Sequence, residues 1–197
     1  MNNNFLFKYI FLKRTLGFIF SGLALLILAI PFIFIGIAIK LDSEGPVFFK
    51  QPRVGRCRKT FYCYKFRSMY TTAPKDCAAN LLKDRDLMVT RVGAFLRKTS
   101  IDELPQLINV FLGDMCLVGP RPLVLSEKSM HDMREKRGIY KLRPGITGLA
   151  QISGRNLVTD EEKLHYDREY LKHISFFFDI KILIKTAIYV LARKDIY

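Results

Sequence analysis

The stretch TLGFIFSGLALLILAIPFIFIGIAI, residues 15–39, carries no charged side chain in 25 positions. A helix needs roughly 20 apolar residues to cross a bilayer, so this one is long enough. A cleaved leader has an apolar region of only ~7–15 residues, followed by a small-residue cleavage site. Here the run is longer and closes on Ala38-Ile39-Lys40 without such a site, which argues against cleavage. The flanks bear on topology. Lys8, Lys13 and Arg14 precede the run with no acid among them, and a strongly basic domain follows it. Positive charge favours the cytoplasmic side, and here it does so for both flanks. A straight spanning helix cannot satisfy both, whereas a helix that enters and returns can. Pro31 stands well inside the run, where it removes a backbone donor and kinks a helix. The expectation is a re-entrant membrane helix, with a kinked spanning helix as the alternative. Residues 1–40 then form a membrane anchor and 41–197 a cytoplasmic domain.

The formal net charge of +14, from 32 Lys and Arg against 18 Asp and Glu, asks for an anionic partner. Nucleic acid, an anionic bilayer surface and phosphorylated small molecules all qualify. Cys57, Cys63, Cys77 and Cys116 form no CxxC pair, and His131, His165 and His173 form no ligand cluster with them. That pattern argues against a disulfide framework or a zinc site and for reduced cytosolic thiols.

Beyond Lys40, Asp42-Ser43-Glu44-Gly45-Pro46 reads as a turn. Val47–Lys50 and Phe61–Arg67 are rich in aromatic and β-branched residues and read as a β-hairpin. Gly55 and a basic loop (Arg53, Arg56, Arg58, Lys59) lie between them. Thr90 can cap a short helix ending in Arg97-Lys98. Leu104, Leu107, Ile108 and Phe111 then fall at the spacing of one buried helical stripe, with Gly113 as its stop. Gly119-Pro120-Arg121-Pro122 is a rigid turn, because its prolines fix the backbone around the arginine. Residues near 123–138 read as an amphipathic helix, and 143–148 as a second tight loop. The very apolar helix from Phe176 to Leu191, bearing Lys181 and Lys185, either lies in the bilayer interface or packs in the core. The fold class is α+β and helix-rich: a re-entrant membrane helix, a small hairpin and interfacial amphipathic helices.

Acids are scarce, so Asp102-Glu103 at a helix start stands out. Arg53, Arg67, Arg97, Arg121, Arg143 and Arg155 lie in or beside tight loops. A guanidinium pairs with phosphate through two parallel hydrogen bonds, although a basic face over lipid headgroups would also use arginine. A carboxylate among phosphate-binding cations would repel its ligand unless it holds Mg²⁺ or acts as a nucleophile. For Glu103 there is a structural alternative: Ser100-Ile101-Asp102-Glu103 has the S-x-x-E form of a capping box. Pro105 argues partly against that register, and Asp102 as the cap would leave Glu103 free.

Three groups of stretches, in order, resemble the bacterial sugar transferases known as monotopic phosphoglycosyl transferases, or polyprenyl-phosphate hexose-1-phosphate transferases. The first group holds residues 45–55 (GPVFFKQPRVG), 64–69 (YKFRSM) and 96–106 (LRKTSIDELPQ). The second holds Asn109-Val110, Gly113-Asp114-Met115 and residues 118–122 (VGPRP). The third holds residues 143–151 (RPGITGLAQ) and Gly154-Arg155-Asn156. The extent of the chain resembles the small type that transfers an N-acetyl amino sugar 1-phosphate to undecaprenyl phosphate. The resemblance implies that Asp102 attacks the sugar-linked phosphorus of a UDP-sugar, releasing UMP, and that undecaprenyl phosphate then takes the phospho-sugar. It further implies that Asp102 contacts Mg²⁺ and Glu103 completes a catalytic pair. By the same resemblance, Lys65, Arg67, Arg97, Arg121 and Arg155 would bind the substrate phosphates. The implied location is the cytoplasmic face of the bacterial inner membrane, with downstream glycosyltransferases as candidate partners. Two departures stand out: Ile30-Pro31 replaces a frequent Ser-Pro, and Asp160 stands near a frequent tryptophan.

A non-catalytic surface that binds anionic lipid or nucleic acid is the competing class. Such a surface has no use for Asp102-Glu103 in an arginine setting. Nucleic acid is disfavoured further by the membrane segment and by aromatics at core spacing rather than on a stacking platform.

Overall fold

The computed structural model describes residues 3–74, 85–153 and 159–192. The apolar run lies in one 40-residue helix, α1 (Asn3–Asp42), which continues through Pro31. It is long and apolar enough to cross a membrane, and little of it is covered by the rest of the chain. Its two ends, however, are both part of the folded domain. Tyr9 belongs to a core with Val118, Leu142, Ile152, Tyr170, Ile174 and Ile182. Ile39 belongs to another with Phe66 and Leu96. Between them Leu26, Ile27, Ile30 and Phe34 remain exposed.

The expected hairpin is present, with both strands longer than the sequence suggests at the turn side. Strands β1 (Phe48–Val54) and β2 (Thr60–Phe66) pair antiparallel, from Phe48 opposite Phe66 to Val54 opposite Thr60. Arg53, expected in the loop, is therefore a strand residue. Pro52 is tolerated in β1 for a geometric reason. Val47 accepts from Arg67 N–H and Gly55 donates to Lys59, so odd-numbered β1 positions exchange bonds with β2. Even-numbered Pro52 has no donor to lose there. A two-residue strand, β4 (Leu123–Val124), joins β1 on its other side, giving the order β2-β1-β4.

Helix α2 (Arg91–Lys98) is capped by the Thr90 hydroxyl, which accepts from Gly93 N–H as the sequence suggests. Helix α3 (Gln106–Leu112) ends at Gly113 in the left-handed conformation, φ 96°, also as expected. Its buried face differs from the expected one. Gln106, Asn109 and Val110 point inward, whereas Phe111 and Leu112 are exposed. Asn109, with no exposed surface, substitutes for a missing neighbour strand: it accepts from Tyr64 N–H at 3.0 Å and donates to the Tyr62 carbonyl at 2.7 Å. The apolar face of α3 instead meets α1, where Phe18 stacks on Phe111 at 4.6 Å. Gly17 and Gly22 bring the helices close; a Cβ on Gly22 would lie 3.2 Å from the Phe111 ring.

Strand β3 (Cys116–Val118) and β5 (Gly145–Thr147) form a separate parallel pair. Helix α4 (Lys128–Lys136) occupies part of the segment expected to be helical, the rest being β4 and turn. A short α5 (Leu149–Ser153) follows β5. Helix α6 (Asp160–His173) opens with a capping box between Thr159 and Glu162. Helix α7 (Phe176–Leu191) packs one face in the core and leaves an apolar face exposed. Asp179 and Ile182 are buried, while Phe177, Ile180, Ile184 and Ile188 are exposed.

Candidate active site

Glu103 sits where three elements converge. Lys65 reaches it from β2, Arg121 from the loop between β3 and β4, and Glu103 itself closes a single 3-10 turn (Ile101–Glu103). Lys65 Nζ donates to Glu103 Oε1 at 2.5 Å, and Arg121 Nη2 donates to the same oxygen at 3.2 Å. Burial would raise the Glu103 carboxyl, but the charges and hydrogen bonds of Lys65 and Arg121 outweigh it and hold the group well below the usual carboxylate range.

The capping-box alternative is excluded by this geometry. Ser100 makes no side-chain cap bond; it occupies the left-handed region at φ 56°. That strained turn ends α2 and re-aims the chain so that Asp102 and Glu103 face the basic groups. Pro105 then precedes α3, where its missing N–H harms nothing.

Asp102 is buried at 8% exposure. Among the described residues no hydrogen bond or ion pair reaches its carboxylate. Burial first, then the charge of Glu103, push it up to about 6, against the opposing pull of Lys65, Arg97 and Arg121. Two adjacent carboxyls are thus driven apart, one permanently ionised and one titrating near neutrality.

Both acids, with Lys65, Arg97 and Arg121, line one cavity of about 1030 Å³. Its lining also includes the apolar Leu117, Ile152 and Leu183. Arg97 donates to Ser68 Oγ at 3.0 Å and also approaches the Met69 sulfur.

Arg67 departs from expectation. Its guanidinium is buried and donates to the carbonyls of Ile39, Ser43 and Glu44, closing the C-terminal end of α1. It borders the cavity yet is engaged by backbone oxygens, so it is a helix cap rather than a phosphate ligand. Arg143 likewise donates to the Gly113 carbonyl at 2.9 Å. Arg155 lies outside the described residues. Arg53, which the sequence placed in the loop, is half-buried and lowered to about 10 by that burial and by the neighbouring charge of Arg121. It donates to Gln51 and to the Pro122 carbonyl, supporting the Arg121 loop. Arg134 and Asp167, an ion pair at 2.6 Å beside this loop, gave no sequence signal beyond an amphipathic helix.

The family model described as bacterial sugar transferase matches residues 8–193. An undecaprenyl-phosphate galactose phosphotransferase of Salmonella typhimurium is 40% identical over 201 residues, covering 95% of this chain and 42% of that protein. A UDP-glucose:undecaprenyl-phosphate glucose-1-phosphate transferase of Escherichia coli is 39% identical over 193 residues, 94% of this chain and 41% of its own length. An uncharacterized sugar transferase, EpsL, of Bacillus subtilis is 46% identical over 158 residues, 80% of this chain and 76% of its own. The chain spans less than half the length of the first two relatives. A match over nearly all of its residues, with the acid pair and its cations gathered at one cavity, shows that the chain belongs to the bacterial sugar transferase family.

Proposed function

We propose that this chain transfers a sugar-1-phosphate from a UDP-sugar to undecaprenyl phosphate, with release of UMP, through a phospho-sugar carried on Asp102. The carrying observation is the Asp102 carboxylate: buried, free of hydrogen bonds among the described residues, and surrounded by Lys65, Arg97 and Arg121. Those cations lower the repulsion between an attacking carboxylate and a phosphate. In the first step an Asp102 oxygen bonds to the sugar-bearing phosphorus and the bond to the UMP oxygen breaks. In the second, an oxygen of undecaprenyl phosphate bonds to that phosphorus and the Asp102 carboxylate leaves. The printed activities of the relatives support the donor and acceptor.

Glu103 is too strongly ionised to be an efficient proton acceptor near neutral pH. Its role is to hold Lys65 and Arg121 in place. Arg155 remains a proposed phosphate ligand by family resemblance.

Magnesium fits the donor set in one mode. No group of three or more His, Cys, Asp or Glu comes together among the described residues, and Glu103 is paired to two cations. Asp102 would therefore be the protein ligand, with substrate phosphates and water completing the shell, as Mg²⁺ sites commonly arrange. Bound there, the ion would neutralise phosphate charge.

An acetylated amino sugar is the substrate we infer from family resemblance. The names of the relatives favour glucose or galactose as a second reading. Incubation with a panel of sugar-labelled UDP-sugars, without lipid acceptor, tests both questions. Label should stay on the protein for one donor class and vanish in Asp102→Asn. An Asn variant with full turnover overturns the nucleophile assignment.

The membrane placement we infer is monotopic, with residues 1–40 as anchor and the remaining domain on the cytoplasmic face of the inner membrane. Its support is that both ends of α1 pack into cores of the same domain.

A further inference from the structure

The two prolines stiffen the loop that presents Arg121, but its place against the rest of the domain is set through its carbonyls. Pro120 and Pro122 supply no N–H, so the loop offers its neighbours a row of carbonyls. Each of three consecutive ones is held from a different element. Pro120 accepts from Gly145 N–H at 2.9 Å, and Pro122 accepts from Arg53 at 2.9 Å. The middle one, on Arg121 itself, accepts from Arg134 Nη1 at 2.8 Å.

Arg134 is fixed in turn by Asp167 on α6, at 2.6 Å. Their side chains are 4% and 2% exposed, the most buried ion pair among the described residues. Burying two charges is a poor route to stability, since apolar side chains of similar volume often do as well. The guanidinium is also placed with its Nε lacking a partner. Besides its contact with the Tyr140 hydroxyl, its orientation serves two bonds, one to Asp167 and one to the backbone of the residue whose side chain grips Glu103.

We propose that Arg134, held by Asp167, is a positioning residue for the transfer reaction: it fixes the Arg121 backbone so that the Arg121 guanidinium stays on Glu103. Helices α4 and α6, which border the same cavity through Arg134 and Lys163, thereby set the electrostatics beside Asp102. The inference rests on the reaction proposed above.

The test uses the full chain in detergent. Arg134→Met combined with Asp167→Leu removes both charges together, so folding survives even if either single variant does not. Its Tm should stay within a few degrees of the parent, while UMP release falls about 10–100-fold, the scale of a small misplacement near reacting atoms. Arg134→Lys, which keeps the charge on a single donating nitrogen, should recover part of that loss. Adding the pair of changes to Arg121→Met should cost less than about twofold further, because both act through one group. Multiplicative losses would overturn the proposal, since they place the effect elsewhere than on Arg121.

A second readout needs no turnover. Carbodiimide labelling of Glu103 at mildly acid pH, followed by peptide mass spectrometry, should rise in both the Arg134/Asp167 double variant and Arg121→Met. Glu103 as protected as in the parent would overturn the proposal. A parent that releases no UMP from any UDP-sugar would instead overturn the reaction, leaving the labelling to decide the positioning role.

Discussion

Asp102 and Glu103 are neighbours with opposite titration behaviour, and the difference is measurable. In the proposed reaction Asp102 must be ionised to attack phosphorus, and its carboxyl is raised to about 6. A group with a raised folded pKa is protonated below that value, so the rate should climb as pH rises through about 6 and then level. The pH profile of kcat/KM for UMP release reads this directly; a limb near the ordinary carboxylate value would contradict the environment described. Glu103→Gln removes a neighbouring negative charge that helps raise Asp102. It also leaves Lys65 and Arg121 without their carboxylate partner. Both effects favour ionised Asp102, so the limb should move to lower pH, while turnover falls by roughly 10²-fold from misplaced cations. The sequence made Asp102 and Glu103 legible because acids are rare in a chain of this charge. It could not separate their roles, since S-x-x-E describes a cap as well as a site. Nor could it distinguish an arginine for phosphate from one for a carbonyl: Arg67 and Arg121 both stand beside turns, and the former closes a helix.

At the scale of elements, periodicity located α2, α3 and α7, and turn residues located the hairpin. It misassigned the inward face of α3 because two apolar environments compete for it. The stripe through Leu104, Leu107, Ile108 and Phe111 has core spacing, yet it adjoins a membrane-type helix, and polar Gln106 and Asn109 take the interior. Asn109 is there because β2 has an unpaired edge. Asn109→Ala should cost about 1–3 kcal/mol, the scale for leaving a buried donor and acceptor without partners. Asn109→Asp should do no better, although it is nearly the same shape. It keeps the acceptor for Tyr64 N–H but loses the donor to Tyr62, and it sets a second negative charge near Asp114, whose Oδ2 lies 3.4 Å from the Asn109 amide. Thermal melts of the three proteins check the order; an Asp variant as stable as the parent would show that edge pairing is not what Asn109 supplies.

Across the whole molecule, one polar cluster ties the membrane helix to the far end of the chain. Asp179 on α7 accepts from Tyr9 at 2.5 Å and Tyr170 at 2.6 Å, and pairs with Lys13 at 2.7 Å. Arg14 donates to the Val110 and Phe111 carbonyls at the end of α3. The two basic residues that flank the apolar run are therefore more than a charge signal: they bind the start of α1 to the domain that also holds its other end. The sequence could read their sign but not their partner, because Asp179 lies over 160 residues away. Crossing the bilayer would require tearing Lys13 from Asp179, a loss of roughly 3–5 kcal/mol for breaking a buried pair. Replacing Pro31 removes a defect of about 3 kcal/mol in a helix interior. These are similar in size, so Pro31→Leu alone should leave most N-termini on the domain's side. Pro31→Leu with Lys13→Leu removes both the proline and the tie, and the N-terminus should then cross. A tag on each terminus, probed from either side of the membrane, checks this. In the parent both tags should be reached only from the cytoplasm; a parent N-terminus reached from outside would mean that α1 spans and that the Asp179 cluster does not hold in the bilayer.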